Sequence, residues 1–179
     1  MTKLAEQPFE LNLDQAEDVE WIMSQNDPAL WHEAAVAALA YVGDKHGFLF
    51  WLIKQNRMDR ATAAHLFFWL EGSEYLRGKI SSFYAAIGDQ EVVELLKKIC
   101  ERSETIGFEE NNLGLLKSFE NERQNCLTVV ASGNVKSGVV VPTMLISEPF
   151  EPETESGDYF IDDGLLLNKA ALLAMLEKR

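Results

Sequence analysis

Residues 60–71 read Arg-Ala-Thr-Ala-Ala-His-Leu-Phe-Phe-Trp-Leu-Glu. Wound into a helix, this stretch is apolar on nearly every side. Such a helix is stable only when other elements surround it, so it belongs at the centre of a bundle. Asp59 in front of it is an N-cap residue, and Gly72 behind it is a natural helix stop. The rest of the chain has to supply helices that cover this one.

It does so on both sides. Asp14, with Glu17 three residues later, forms a capping-box-like start for a first helix through about Gln25. Asp27-Pro28 gives an N-cap followed by proline at the first helical position. The helix that follows carries Trp31, Ala34, Ala35, Ala38, Leu39 and Val42 on one face and ends at Gly43. A short helix is expected from Gly47 to about Gln55, and residues 80–86 are helical by pattern. Gly88-Asp89 opens another helix to about Glu104, with Val92, Val93, Leu96, Ile99 and Cys100 as its stripe. A more polar helix is expected over residues 112–122.

Beyond that the character changes. Leu127–Ala131 and Gly138–Val141 are rich in β-branched residues and are separated by Ser132-Gly133-Asn134-Val135-Lys136-Ser137, which reads as a hairpin. The same residues leave a further helix open. Pro142 confines the second run to an edge. An ordered acidic loop over Glu148 to Asp158 and a last helix from about Leu165 to Lys178 complete the reading. The expectation is a single domain over residues 1–179, mainly α. It is a helical bundle (core about residues 14–122) with a small β-hairpin near the C-terminal third, inside a mixed region over 127–179. With 47% hydrophobic residues among 179, the chain has enough apolar mass to bury a core without staples.

Charge is the second constraint. The net charge is −13, and it is unevenly placed. From Leu4 to Asp44 there are nine carboxylates and no Lys or Arg; from Ser137 to Asn168 there are seven more and again no base. The middle, Lys45 to Lys136, balances twelve acids with twelve bases. Such a field repels nucleic acid and anionic membranes and steers cationic partners inward. The same acidity also serves plain solubility. Two cysteines outside any CxxC motif, Cys100 in an apolar stripe, fit buried free thiols in a reducing compartment, and a cytoplasmic location is expected. The apolar stretches 34–42 and 48–53 fall far short of the roughly 20 residues that span a bilayer.

No catalytic motif stands out. His32-Glu33 begins an HExxH pattern, but Val36 occupies the second histidine's place. His32, His46 and His65 could meet in the fold as a metal or hydrolytic site; isolated histidines of this kind are far more often satisfied core or cap residues. Glu109-Glu110 and Asp162-Asp163 are adjacent carboxylates, which diverge on a helix. No cofactor is expected.

Three features between Asp27 and Lys79 carry a resemblance: Asp27-Pro28-Ala29-Leu30-Trp31-His32, Asp44-Lys45-His46-Gly47-Phe48, and Asp59-Arg60-Ala61-Thr62-Ala63 leading into Leu66-Phe67-Phe68-Trp69. Together they resemble the DUF4274 family of small bacterial proteins, and Ser81-Ser82-Phe83-Tyr84 extends the likeness. Proteins of this kind accompany secreted polymorphic toxins, and some serve as immunity proteins. The resemblance implies antitoxin-like binding, with no catalytic residues carried over.

The expected function is therefore stoichiometric capture of a cognate protein toxin or other basic protein, a nuclease effector first among them. The contact residues expected from the charge pattern are Glu148, Glu151, Glu153, Glu155, Asp158, Asp162 and Asp163, with Phe150, Tyr159 and Phe160 as apolar anchors. Equally, those three aromatics could simply pin the loop to the bundle. An adaptor with another partner, and an enzyme built on the histidines, are the competing readings.

Overall fold

The computed structural model describes residues 7–80, 85–154 and 157–178. In chain order it forms strand β1 (Glu10–Leu11), α1 (Ala16–Ser24), α2 (Pro28–Ala37) with a π-helical turn at Ala38–Val42, and α3 (Phe48–Leu52). Next come α4 (Arg60–Trp69), α5 (Gly72–Leu76), α6 (Asp89–Glu104), a 3₁₀ turn at Lys117–Phe119, α7 (Glu120–Ala131) and α8 (Thr143–Ile146). The hairpin β2 (Tyr159–Asp162) and β3 (Leu165–Asn168) and the last helix, α9 (Lys169–Leu176), complete the fold. It is mainly α with one small sheet, as the sequence implies.

Helix α4 is the centre. Every residue from Arg60 to Phe68 is buried, and α2, α5, α6 and α8 pack around it. Asp59 caps it as expected, its Oδ1 accepting the Ala61 N–H at 2.8 Å while Oδ2 accepts the Asn112 N–H at 2.7 Å. The stop differs from expectation. Glu71, not Gly72, takes the left-handed conformation (φ 54°), and Gly72 opens α5. Glycine is required there because a Cβ would fall on the Phe67 ring.

Other starts hold in part. Asp27 caps α2 by accepting the Ala29 and Leu30 N–H groups, at 3.0 and 3.3 Å, with Pro28 at the first position. Helix α1 starts at Ala16 rather than at Asp14, and Asp18 of its first turn reaches back to accept the Asn12 N–H at 2.8 Å. The helix expected over 80–86 is absent at 80, 85 and 86; residues 81–84 lie outside the described residues.

The hairpin expected at 127–141 is corrected outright. Residues 120–131 are helix α7, with Cys126 and Val129 buried three apart on one face. Ser132-Gly133-Asn134 is the end of that helix. Gly133 sits at φ 70°, its N–H donates to the Val130 carbonyl at 3.1 Å, and the Asn134 N–H donates to the Val129 carbonyl at 3.1 Å. This paired closure satisfies the terminal carbonyls, so the helix outweighs the strand preference of Thr128, Val129 and Val130. The polar helix expected over 112–122 is met only at its end, where the 3₁₀ turn 117–119 leads into α7 at Glu120; the residues before it run without helix, Glu110 bridging Asp59 and Leu115 bridging Pro152.

The hairpin lies instead at 159–168, between the acidic loop expected to Asp158 and the last helix, which starts at Lys169 rather than at Leu165. Asp163 and Gly164 both have positive φ, 47° and 82°. Two such residues between strands make a type I′ hairpin turn, the form whose twist matches the strands. The sheet order is β1-β3-β2, antiparallel throughout. Leu11, Leu166 and Ile161 stand opposite one another and face the core, where α2 packs on the hairpin. One continuous apolar cluster joins Leu11 and Tyr159 to α4 and α6.

Candidate interaction surface

The sheet brings the two base-free segments of the chain together. Glu10 pairs with Leu167 and Leu11 with Leu166, so the N-terminal acidic stretch and the C-terminal one share a ladder. Helix α1, which carries Glu17, Asp18 and Glu20, packs on α2, which carries Glu33, and α2 packs on β2 and β3. Glu10, Asp14, Glu17 and Glu20 are exposed on one side of this junction, and Asp158, Asp162 and Asp163 on the other. Lys45 neutralises one of them, sitting 2.7 Å from Asp14.

The residues expected to contact a partner divide into two groups. Those of the strap, residues 148–154, are anchored to the bundle. Arg60, only 3% exposed, donates to the Met144 carbonyl at 2.8 Å and the Pro149 carbonyl at 2.6 Å; its Nη1 lies 3.2 Å from Glu148. The same guanidinium stacks over the Phe150 ring, 3.8 Å from its centroid. Further along, the Leu115 N–H donates to the Glu151 carbonyl, and the Glu153 N–H to the Leu115 carbonyl. The Glu148, Glu151 and Glu153 side chains remain exposed on this tied backbone. Glu155 lies outside the described residues.

The hairpin group is placed differently. Asp158 accepts from the Gln7 side chain at 2.9 Å, and its carbonyl accepts the Lys169 N–H at 2.8 Å. Asp162 ends β2, and Asp163 is the first residue of the turn. Tyr159 is buried at 2% exposure, edge-on to Trp21, and its hydroxyl donates to the Pro8 carbonyl at 2.8 Å. Tyr159 and Phe150 thus hold their segments to the bundle. Phe160 alone of the three aromatics lies on the sheet face turned away from the core, level with Leu167 and Glu10.

The histidines divide as well. His32 and His65 meet between α2 and α4 with ring centroids 5.3 Å apart, and 3.0 Å separates His32 Nδ1 from Thr62 Oγ1. Burial lowers the pKa of His32 to about 4, and that of His65 to about 3 with His32's help. His46 sits on the loop before α3, 3.1 Å from the Asp14 carbonyl oxygen. Among the described residues no group of three or more His, Cys, Asp or Glu is placed to hold a metal ion.

Sequence reasoning missed Glu33. It lines a small cavity with His32 and Glu153, and burial raises its pKa to about 7, with Lys169 opposing and Glu153 adding to the shift. Nothing local in the sequence marks this pairing, which depends on the strap's path. The Asp-Gly pair of the hairpin, by contrast, was a readable signal that the adjacent carboxylates obscured. Among the described residues no helix is long and apolar enough to cross a membrane. No protein-family model, curated protein or solved structure matches the chain.

Proposed function

We propose that this chain is an acidic binding protein that neutralises a cognate bacterial toxin, a basic nuclease effector in the first instance, by direct stoichiometric binding in the cytoplasm. The observation that carries this reading is the β1–β3 pairing, which sets two separate base-free acidic segments side by side. Carboxylates scattered for solubility alone have no reason to converge in this way. Complementary fields of this kind speed association to roughly 10⁸ M⁻¹s⁻¹ at low salt. The resemblance to the DUF4274 family points the same way.

Affinity capture of the tagged protein from lysate of its source, washed at low and high salt, tests the reading. The expected result is one stoichiometric basic partner that arrests growth when expressed alone and is silenced by co-expression. An association rate that falls with ionic strength would accompany it. Absence of any stable partner at either salt sinks the toxin-neutralising function.

A further inference from the structure

The sheet has a second face. Strand alternation turns Phe160, Asp162, Leu165, Leu167 and Glu10 away from the core. Phe160, Leu165 and Leu167 are only partly buried there, whereas Leu166 and Leu11 on the inner face are fully buried. Directly after β3 the chain enters α9, whose start is capped by Asn168 accepting the Ala171 N–H at 2.9 Å. None of the α9 side chains is buried, and Leu173, Met175 and Leu176 are 60%, 53% and 56% exposed. A helix so apolar and so uncovered, beside a half-covered apolar sheet face, is what interaction surfaces expose.

Its charge surroundings choose the occupant. Glu10, Asp158, Asp162 and Asp163 are exposed around the sheet. The bases beside it are two: Lys169 at the start of α9, its Nζ donating to the Gly157 carbonyl at 3.2 Å, and Lys178 just past the helix's end. A second copy of this chain would press one acidic rim on another, and an anionic membrane would be repelled; like charges at an interface cost affinity. An apolar centre within an anionic rim fits a cationic protein that places aliphatic or aromatic side chains between lysines or arginines.

We propose that the outer face of the sheet, together with α9, is the docking surface for that cationic partner. This rests on the toxin-binding reading and narrows it, moving the contact from the tied strap to the hairpin and last helix.

The test is titration of the ¹⁵N-labelled full chain with an amphipathic helical peptide of lysine and leucine, and with its glutamate-for-lysine counterpart. The cationic peptide is expected to shift the amides of Phe160, Leu167 and Leu173, and the anionic one to shift none. The double variant Leu173→Ser/Leu176→Ser should bind at least about tenfold more weakly with unchanged melting. Shifts spread over every carboxylate-bearing helix, α6 included, or undiminished binding by the double variant, would reduce the effect to charge alone and overturn the surface. Sedimentation showing a dimer that the double variant disperses would assign the face to a second copy and overturn it too. If the captured toxin binds the double variant as tightly as the parent, this surface falls while the function stands. If no toxin is captured yet the peptide docks here, the toxin reading falls and the surface stands.

Discussion

Helices α4 and α9 are alike in sequence and opposite in setting. Each begins after a side-chain cap, Asp59 for one and Asn168 for the other, and each then runs through alanines into large apolar residues. Arg60 to Phe68 are all buried, with neighbours on every side. The residues Lys169 to Leu176 have no buried member. An apolar helix announces that something should cover it, and the announcement is the same whether the cover comes from the chain or from a partner. What separates the two is topology. Helix α4 has four helices packed on it, while α9 leaves the centre strand of a small sheet and packs on little besides that strand.

Variants that remove matched groups from the two helices should widen that contrast. Phe67→Ala opens a cavity in the centre and is expected to cost about 3–5 kcal/mol in chemical denaturation; a cost under 1 kcal/mol, well outside that range, would mean α4 is not the packed centre described here.

Acid should next attack the same region. Both buried histidines have pKa values lowered from 6.5, to about 4 and about 3. The unfolded chain takes up their protons first, so their contribution is complete above pH 6.5 and is lost as pH falls toward 4 and below, on the order of 3 kcal/mol for His32 alone. Glu33 works in the other direction. Its pKa is raised from 4.5 to about 7, so its contribution fades as pH rises through that range, and Glu33→Gln should stabilise the protein at pH 8. Urea denaturation of the parent and the His32→Gln and Glu33→Gln variants across pH checks both signs. An unchanged profile in both variants would remove the two groups from the account.

The caps come third. Asp59→Ala strands two N–H groups in the interior and should cost about 2 kcal/mol, against about 1 kcal/mol for Asn168→Ala at the exposed helix. Equal losses in thermal melts would say the two helix starts are equally supported. The smallest effect belongs to α9 itself: Leu173→Ser should move stability by no more than about 0.5 kcal/mol. A large loss there would show that this helix is covered after all.

The central bundle was legible because its signals are local. The all-round apolar run of 60–70, Asp27-Pro28 and Gly88-Asp89 each specify a helix within a few residues, and the structure places helices at all three. The C-terminal third was not, because there the deciding partner is distant or the same residues serve two conformations. Ser132-Gly133-Asn134 suits a hairpin and a helix end equally. The carbonyl of Val129, whose acceptance of the Asn134 N–H closes the helix, lies inside the run read as a strand. Leu165 to Asn168 continue without a break into the apolar residues of α9, so periodicity joined strand and helix into one. The acidic face was half readable: the two charged segments stood out, while their meeting depends on a pairing between opposite ends of the fold.

That pairing also orders events in time. The strand that joins the two acidic segments, β3, is the last of the described strands and the middle one in the sheet. During synthesis the bundle can close around α4 while β1 still waits for its neighbour, since contacts between residues so far apart along the chain form late. A ribosome that stalls short of Leu165 would release a chain able to pack most of its helices yet unable to present the surface assigned to its partner. Capture would then report on completed molecules alone, and incomplete ones would not compete for the target.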